Sequence, residues 1–148
     1  MSKDRAKVII NVFKKEPLRI RLDIEKTVKK VIAAEKTGGE MNVNVIFAGD
    51  ALIKRLNRQF RKKDKTTDVL TFVYDADDCG YSGSDIYISV PTARKDALEE
   101  GKTIKEKTAE LIIHGVLHTL GYDHKTQKEY DGIKKLQEKY LKTAMRSC

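Results

Sequence analysis

The three histidines of this 148-residue chain, His114, His118 and His124, all fall in the run His114-Gly115-Val116-Leu117-His118-Thr119-Leu120-Gly121-Tyr122-Asp123-His124. His114 and His118 stand four residues apart, so a helix projects both from one face, one turn above the other. Gly121 can end that helix in a left-handed conformation and let the chain turn back, carrying His124 toward the other two. Three neutral imidazoles converging on one point form a zinc site with its fourth position open, the pattern of a catalytic rather than a structural metal. The alternative is a set of core histidines with satisfied hydrogen bonds, the usual state of a lone histidine on an apolar helix. The spacing and the turn glycine weigh against it. So does the setting: Leu111, Ile112, Ile113, Val116, Leu117 and Leu120 make the helix apolar on nearly every side, and unpartnered imidazoles buried there would be costly. Imidazole also suits nickel and other divalent ions, so these residues do not choose the metal.

Zinc with an open position lowers the pKa of a bound water to about 7 and polarises a carbonyl or phosphoryl oxygen, and either use makes a hydrolase. The spacing His-x3-His-x2-Gly-x2-His occurs in a large class of zinc proteases, where a glutamate general base follows the first histidine. Here that position is Gly115, and the methionine expected soon after the third histidine is absent, the next being Met145. Proteolysis thereby loses its main catalytic group. A zinc nucleoside deaminase is disfavoured because the chain has no paired Cys-x-x-Cys ligands.

A second segment suggests what such a site would act on. From Lys54 to Lys65 stand Lys54, Arg55, Arg58, Arg61, Lys62, Lys63 and Lys65, against the single acid Asp64. The chain's net charge of +8 and pI near 9.4 already favour a polyanionic partner, most often nucleic acid. Arginine's planar donor fork binds two phosphate oxygens at once. A basic groove leading to a metal gives phosphodiester hydrolysis, although most of these cations, taken singly, are simply a solvated face. Residues 75–83 form an acidic, glycine- and serine-containing loop with no assigned role.

The elements that must position these groups follow from periodicity. Residues 7–14 and 41–48 are predicted strands, as are 68–74 and 85–90. Over 17–36 the start is ambiguous between strand and helix, and length favours a helix ended by Gly38-Gly39. Asp50 is placed to cap a short helix over 51–60. Pro91 suits the first turn of a helix running to about Glu100. Thr103 with Glu106 and Thr126 with Glu129 have capping-box spacing. The first pair opens the histidine helix. The second opens a last helix with Tyr130, Ile133, Leu136 and Tyr140 on one face. His124 then lies in a short, rigid connection. The fold class is α+β: a small mixed sheet of about four strands covered by about five helices, with the metal site at the end of the penultimate helix. The length predicts one domain, residues 1–148. No apolar run approaches a membrane span. The charged first thirty residues predict no signal peptide, and Cys79 and Cys148 make no disulfide framework. The expected location is the cytoplasm.

Taken together, the motifs resemble the YbeY family of bacterial endoribonucleases, also known as ribosomal RNA maturation factors. HGVLHTLGYDH carries the histidines. LNRQFRKKDKTTDVLTF matches the family's Asn-x-x-aromatic-Arg-x-x-Asp-x-x-Thr-Asp-Val-Leu-x-Phe pattern. Ser84-Asp85-Ile86-Tyr87-Ile88-Ser89 matches Gly-Asp-Ile-x-Ile-Ser. The resemblance implies His114, His118 and His124 as ligands of one zinc ion. It implies Arg61 as the active-site arginine, a candidate for gripping the scissile phosphate. It further implies a metal-dependent, single-strand-directed endoribonuclease acting in ribosomal RNA processing, including maturation of the small-subunit RNA end. Its partners would be ribosomal RNA and the ribosome, with a ribosomal protein or a GTPase as a family theme, and no membrane. Two positions depart from the pattern. Ser84 replaces a glycine, which predicts an altered turn before the strand. Thr119 replaces a leucine, and its hydroxyl can bond back to the helix backbone.

Around this centre, Lys62 and Lys63 are placed to track an RNA backbone. Tyr122 or Phe72 could stack on a base, although packing is the commoner role for both. Asp68, Asp85 and Asp123 could orient histidines, or Asp68 and Asp85 could instead hold loops together. No residue is a clear general base, and the 2′-hydroxyl of RNA and a metal-activated water both remain available as nucleophile. The rival from another class is an RNA-binding ribosome-assembly factor with a structural metal that binds through the basic loop and cuts little.

Overall fold

The structure, a computed structural model, describes residues 6–36, 38–74, 81–123 and 125–146. His124, the acidic residues 75–80 and Cys148 lie outside them. Four strands form one sheet in the order β1-β2-β4-β3: β1 (Lys7–Lys14), β2 (Glu40–Ala48), β3 (Val69–Tyr74) and β4 (Tyr81–Ser89). β1–β2 and β2–β4 run parallel, and β3 is antiparallel to β4. β3 is therefore an edge strand. Five helices complete the described residues: α1 (Ile24–Glu35), α2 (Asp50–Arg61), α3 (Val90–Glu100), α4 (Ile104–Thr119) and α5 (Gln127–Arg146). The architecture is the expected α+β fold with a mixed sheet.

Alternation in β2 sends Met41, Val43, Val45 and Phe47 to one face. There they join Ile86 and Ile88 of β4 and the side chains of α1 and α4 in the main core. α4 is the hub of this layer: Ala109, Ile112, Ile113, Val116 and Leu117 are fully buried. Burial of each of the four larger chains, Ile112, Ile113, Val116 and Leu117, stabilises the fold by roughly 1.5–3 kcal/mol relative to exposure. α2 crosses the opposite face over a smaller cluster of Ala48, Ile53 and Leu70, flanked by Leu56, Phe72 and Tyr87. Gly115 lets α4 lie close on the sheet. A Cβ there would stand 2.8–3.0 Å from three atoms of buried Ile86.

The caps explain where helices begin, and correct three expectations. α1 starts only at Ile24, because the Asp23 carboxylate accepts from the Lys26 amide at 2.9 Å; residues 17–23 stay outside it, with Leu18 buried in the core. α1 also stops at Glu35 with an extended Lys36, before the glycines, whose φ of +71° and +78° turns the chain into β2. Asp50 does not cap α2. Gly49 holds that position without a side-chain bond, and the Asp50 carboxylate serves another purpose described below. As expected, Thr103 caps α4 and Pro91 stands in the first turn of α3; the cap of α3 is Ser89, which the sequence reading did not single out. Thr126 accepts from the Glu129 amide at 3.1 Å. In α5, Ile133, Tyr140 and Ala144 form the buried line, while Tyr130 is exposed; at about 100° per residue it sits roughly 60° round from that line. β4 begins before Asp85, so Ser84 lies within the strand rather than in a turn before it.

Candidate active site

α4 places the two described histidines as their spacing predicts: the ring centroids of His114 and His118 lie 4.8 Å apart, edge to face. The helix then closes in a Schellman turn. The Tyr122 amide donates to Leu117 O and the Gly121 amide to His118 O, both at 3.0 Å, and Gly121 takes a φ of +99°. This is the turn that the glycine foretold.

The histidines face β3 across a cleft of about 200 Å³ lined by Arg61, Val69, Leu70, Thr71 and both imidazoles. The cleft continues past His118 toward Gly121, Tyr122 and Asp123. Arg61, the last residue of α2, reaches it around the sheet edge. Its Nη2 donates to the Thr71 carbonyl at 2.7 Å, and its guanidinium carbon lies 5.4 Å from the Phe72 ring centroid. A guanidinium has five N–H donors, so this anchoring leaves capacity for an anion.

Polar residues of the basic segment fasten the chain around that arginine. Asn57 is buried and donates to the Lys65 carbonyl at 2.8 Å. Lys62 adopts a left-handed conformation that closes α2. Thr66 donates to Asp50 at 3.1 Å, and Asp50 also accepts from Thr92 at 2.6 Å and from Ser89. Burial pushes the Asp50 carboxyl up, but the three hydroxyl donors outweigh it and hold the group below its ordinary range. The loop is thus fastened to the start of α3. Lys62 and Lys63 are exposed and do not line the cleft.

Gln137 of α5, which sequence reasoning missed, touches the site directly. Its Oε1 is the hydrogen-bond partner of His114 Nδ1. With Nδ1 engaged as a donor, Nε2 is the nitrogen left for a ligand. The only signal in the sequence was a polar residue bordering the apolar line of α5. Two of the three carboxylates proposed for this task, Asp85 and Asp68, are used elsewhere. Asp85 accepts from Asn44 at 2.9 Å, and lies on the strand register that faces away from α4. Asp68 pairs with Lys107 at 3.8 Å. Lys107 is 4% exposed and also meets Glu100 and Glu110. Burial opposes its charge, but the surrounding carboxylates raise its pKa, while burial and the bond to Asp68 push the Asp96 carboxyl up. Asp123 does line the cleft, and pairs with Lys125 at 3.7 Å.

Tyr122 is an anchor: its hydroxyl donates to Glu35 at 2.5 Å, and Tyr140 donates to the same carboxylate. The two phenols draw the Glu35 pKa down. The turn after α4 is thereby tied to α1 and α5. Phe72 packs edge to face between Phe60 and Tyr87, at 5.4 and 5.9 Å. The two departures from the family pattern meet each other. The Thr119 hydroxyl lies 2.6 Å from that of Ser84 and 2.8 Å from the Gly115 carbonyl, all buried. With one proton on each hydroxyl, the carbonyl takes Thr119's and Ser84 supplies the other. Gly115 carries no carboxylate where the zinc-protease class has its glutamate, and a Cβ there would crowd buried Ile86.

The donor set suits a divalent metal ion: two imidazoles on one helix face, one fixed by an amide oxygen, with a cation opposite for an anionic substrate. Among the described residues, no group of three His, Cys, Asp or Glu side chains could hold one; the third ligand called from the sequence, His124, lies outside them.

Fold and cleft define a class of small α+β domains that set paired imidazoles of a central helix against an arginine at the sheet edge. The family model described as Endoribonuclease YbeY matches residues 9–145, and the chain belongs to that family. Among similar proteins named Endoribonuclease YbeY, one from Polynucleobacter asymbioticus is 46% identical over 114 residues, 77% of this chain and 72% of its own. Another, from Acholeplasma laidlawii, is 38% identical over 134 residues, covering 90% and 93%. The solution structure of a Thermotoga maritima protein superposes with a TM-score of 0.62 at 30% identity, covering 94% of this chain and 93% of that one.

Proposed function

We propose that this protein is a metal-dependent endoribonuclease that cuts phosphodiester bonds in single-stranded RNA and serves ribosomal RNA processing, including maturation of the small-subunit RNA end. The observation that carries the proposal is the convergence of Arg61, His114 and His118 on one cleft beside an edge strand. The family name supports RNA as the substrate. His114, His118 and His124 would hold one zinc ion, which when bound supplies an activated water and Lewis-acid polarisation of a phosphoryl oxygen. Arg61 binds the non-bridging oxygens and stabilises their growing charge. A preorganised donor of this kind is worth about 10²–10³ in rate. The Thr71 carbonyl and the Phe72 ring hold the guanidinium at the cleft before substrate arrives, so little reorganisation is needed. His114 is kept in one orientation by Gln137. Lys62 and Lys63 follow the RNA backbone outside the cleft and make affinity fall with salt.

Residues 1–148 act as one domain in this reading, and the match over 9–145 supports it. The ribosome, with a ribosomal protein or GTPase, is the setting, and the cytoplasm the location. No helix among the described residues is long and apolar enough to cross a membrane. The test is internal cleavage of labelled single-stranded RNA by zinc-loaded protein, with duplex RNA and a peptide substrate in parallel. Cuts confined to single-stranded RNA, and lost on chelation and in His114→Ala, support the proposal. Intact RNA with folded, zinc-loaded protein would overturn it in favour of an assembly factor.

A further inference from the structure

We infer that Phe60 is a stacking platform for an unpaired base of the RNA strand whose phosphate lies at Arg61; the inference rests on the endoribonuclease proposal above. Phe60 sits on the buried line of α2, roughly 20° from Ile53 at about 100° per residue, yet 58% of it is exposed. The ring stands in the last turn of α2, beside Phe72 of the edge strand β3. One edge of the ring is held by Phe72, at 5.4 Å and an interplanar angle of 69°. Phe72 rests on Tyr87 and lies under the Arg61 guanidinium. An aromatic series thus runs from the core to the surface and carries Arg61 over its middle member.

This placement fits a nucleotide better than it fits folding. A ring left 58% exposed gains only part of what burial gives a phenylalanine, whereas an exposed ring held against Phe72 offers a preorganised π-face. The next residue is the arginine of the cleft, and Lys62 and Lys63, both exposed, follow it in the chain. A basic track with an aromatic face is how proteins bind single strands without reading sequence. A protein surface seated on the same ring would have to tolerate those cations.

The experiment measures binding without cutting, in a His114→Ala background, using a single-stranded RNA and the same oligomer with abasic sites. Phe60→Ala should weaken the intact RNA about 5- to 100-fold, the range of one lost base stack, with the salt dependence unchanged. Phe60→Tyr, which keeps the ring, should bind within about twofold of the parent. Abasic RNA should bind the parent weakly and ignore the alanine change. Equal binding by parent and Phe60→Ala would overturn the inference, even if a protein partner were lost. So would an equal loss with abasic RNA, which would place the effect on the backbone or the fold. A zinc-loaded wild type that neither binds nor cuts RNA would sink the endoribonuclease proposal itself. A wild-type enzyme that cuts RNA, with Phe60→Ala binding normally, would sink only the stacking role.

Discussion

Replacing Gln137 by leucine should weaken zinc binding without unfolding the protein. The side chain is half-buried on α5, and its Oε1 partners His114 Nδ1. Leucine keeps the bulk and removes the acceptor. Losing a neutral hydrogen bond costs about 1 kcal/mol net, and leaving the partly buried Nδ1–H unpaired raises this to about 1–3 kcal/mol. At 1.4 kcal/mol per tenfold, that is roughly a 5- to 100-fold loss in affinity. It agrees with the 10- to 100-fold loss typical when the partner of a metal-ligating histidine is removed. Gln137→Glu keeps an acceptor and should hold affinity near or above the parent's. The assay is competition with a chromophoric chelator at fixed pH. Nitrogen NMR of the metal-free protein supplies a second readout. The parent's His114 should be an Nδ1–H tautomer, and the leucine variant a mixture. A leucine variant with affinity within twofold of the parent and an unchanged tautomer would refute the reasoning.

Gly115→Ala should lose about 1 kcal/mol in denaturant unfolding: crowding Ile86 costs about 1–3 kcal/mol, offset by about 1 kcal/mol of helix propensity. A full gain of that propensity would show that Ile86 yields freely. Asp50→Asn should cost about 1–3 kcal/mol at pH 7 by weakening its hydroxyl bonds. The folded pKa of Asp50 lies below the ordinary 3.8, so its contribution is full above that value and lost as pH falls through the folded pKa. The variant should therefore show a flatter acid limb in urea unfolding, and an unchanged limb would count against the three-hydroxyl node.

Most of the fold was legible because it is written in local signals. The alternation of Val43, Val45 and Phe47, Pro91 opening α3, the cap at Thr103, and Gly121 after the histidine helix each act within a few residues. Arg61 and the histidine pair were legible through motif spacing, and the structure brings them to one cleft. What escaped depends on contacts far apart in sequence. Gln137 lies 23 residues from His114. Asp50 looked like a cap, but its carboxylate finds Ser89 and Thr92 some forty residues away. Asp85 looked available to a histidine, yet strand register turns it to the other face of the sheet, onto Asn44. Nor did helical spacing foretell Phe60, which shares the line of buried Ile53 yet is exposed beside the edge strand.

The central claim is that Arg61 acts on the transition state rather than merely holding RNA. Single-turnover cleavage and equilibrium binding of one single-stranded RNA, measured for zinc-loaded wild type and Arg61→Ala, separate the two. Cleavage of bound RNA should slow by about 10²–10³, with affinity changed only severalfold. Weakened binding with an unchanged rate for the bound RNA would contradict the account and make the arginine a docking residue.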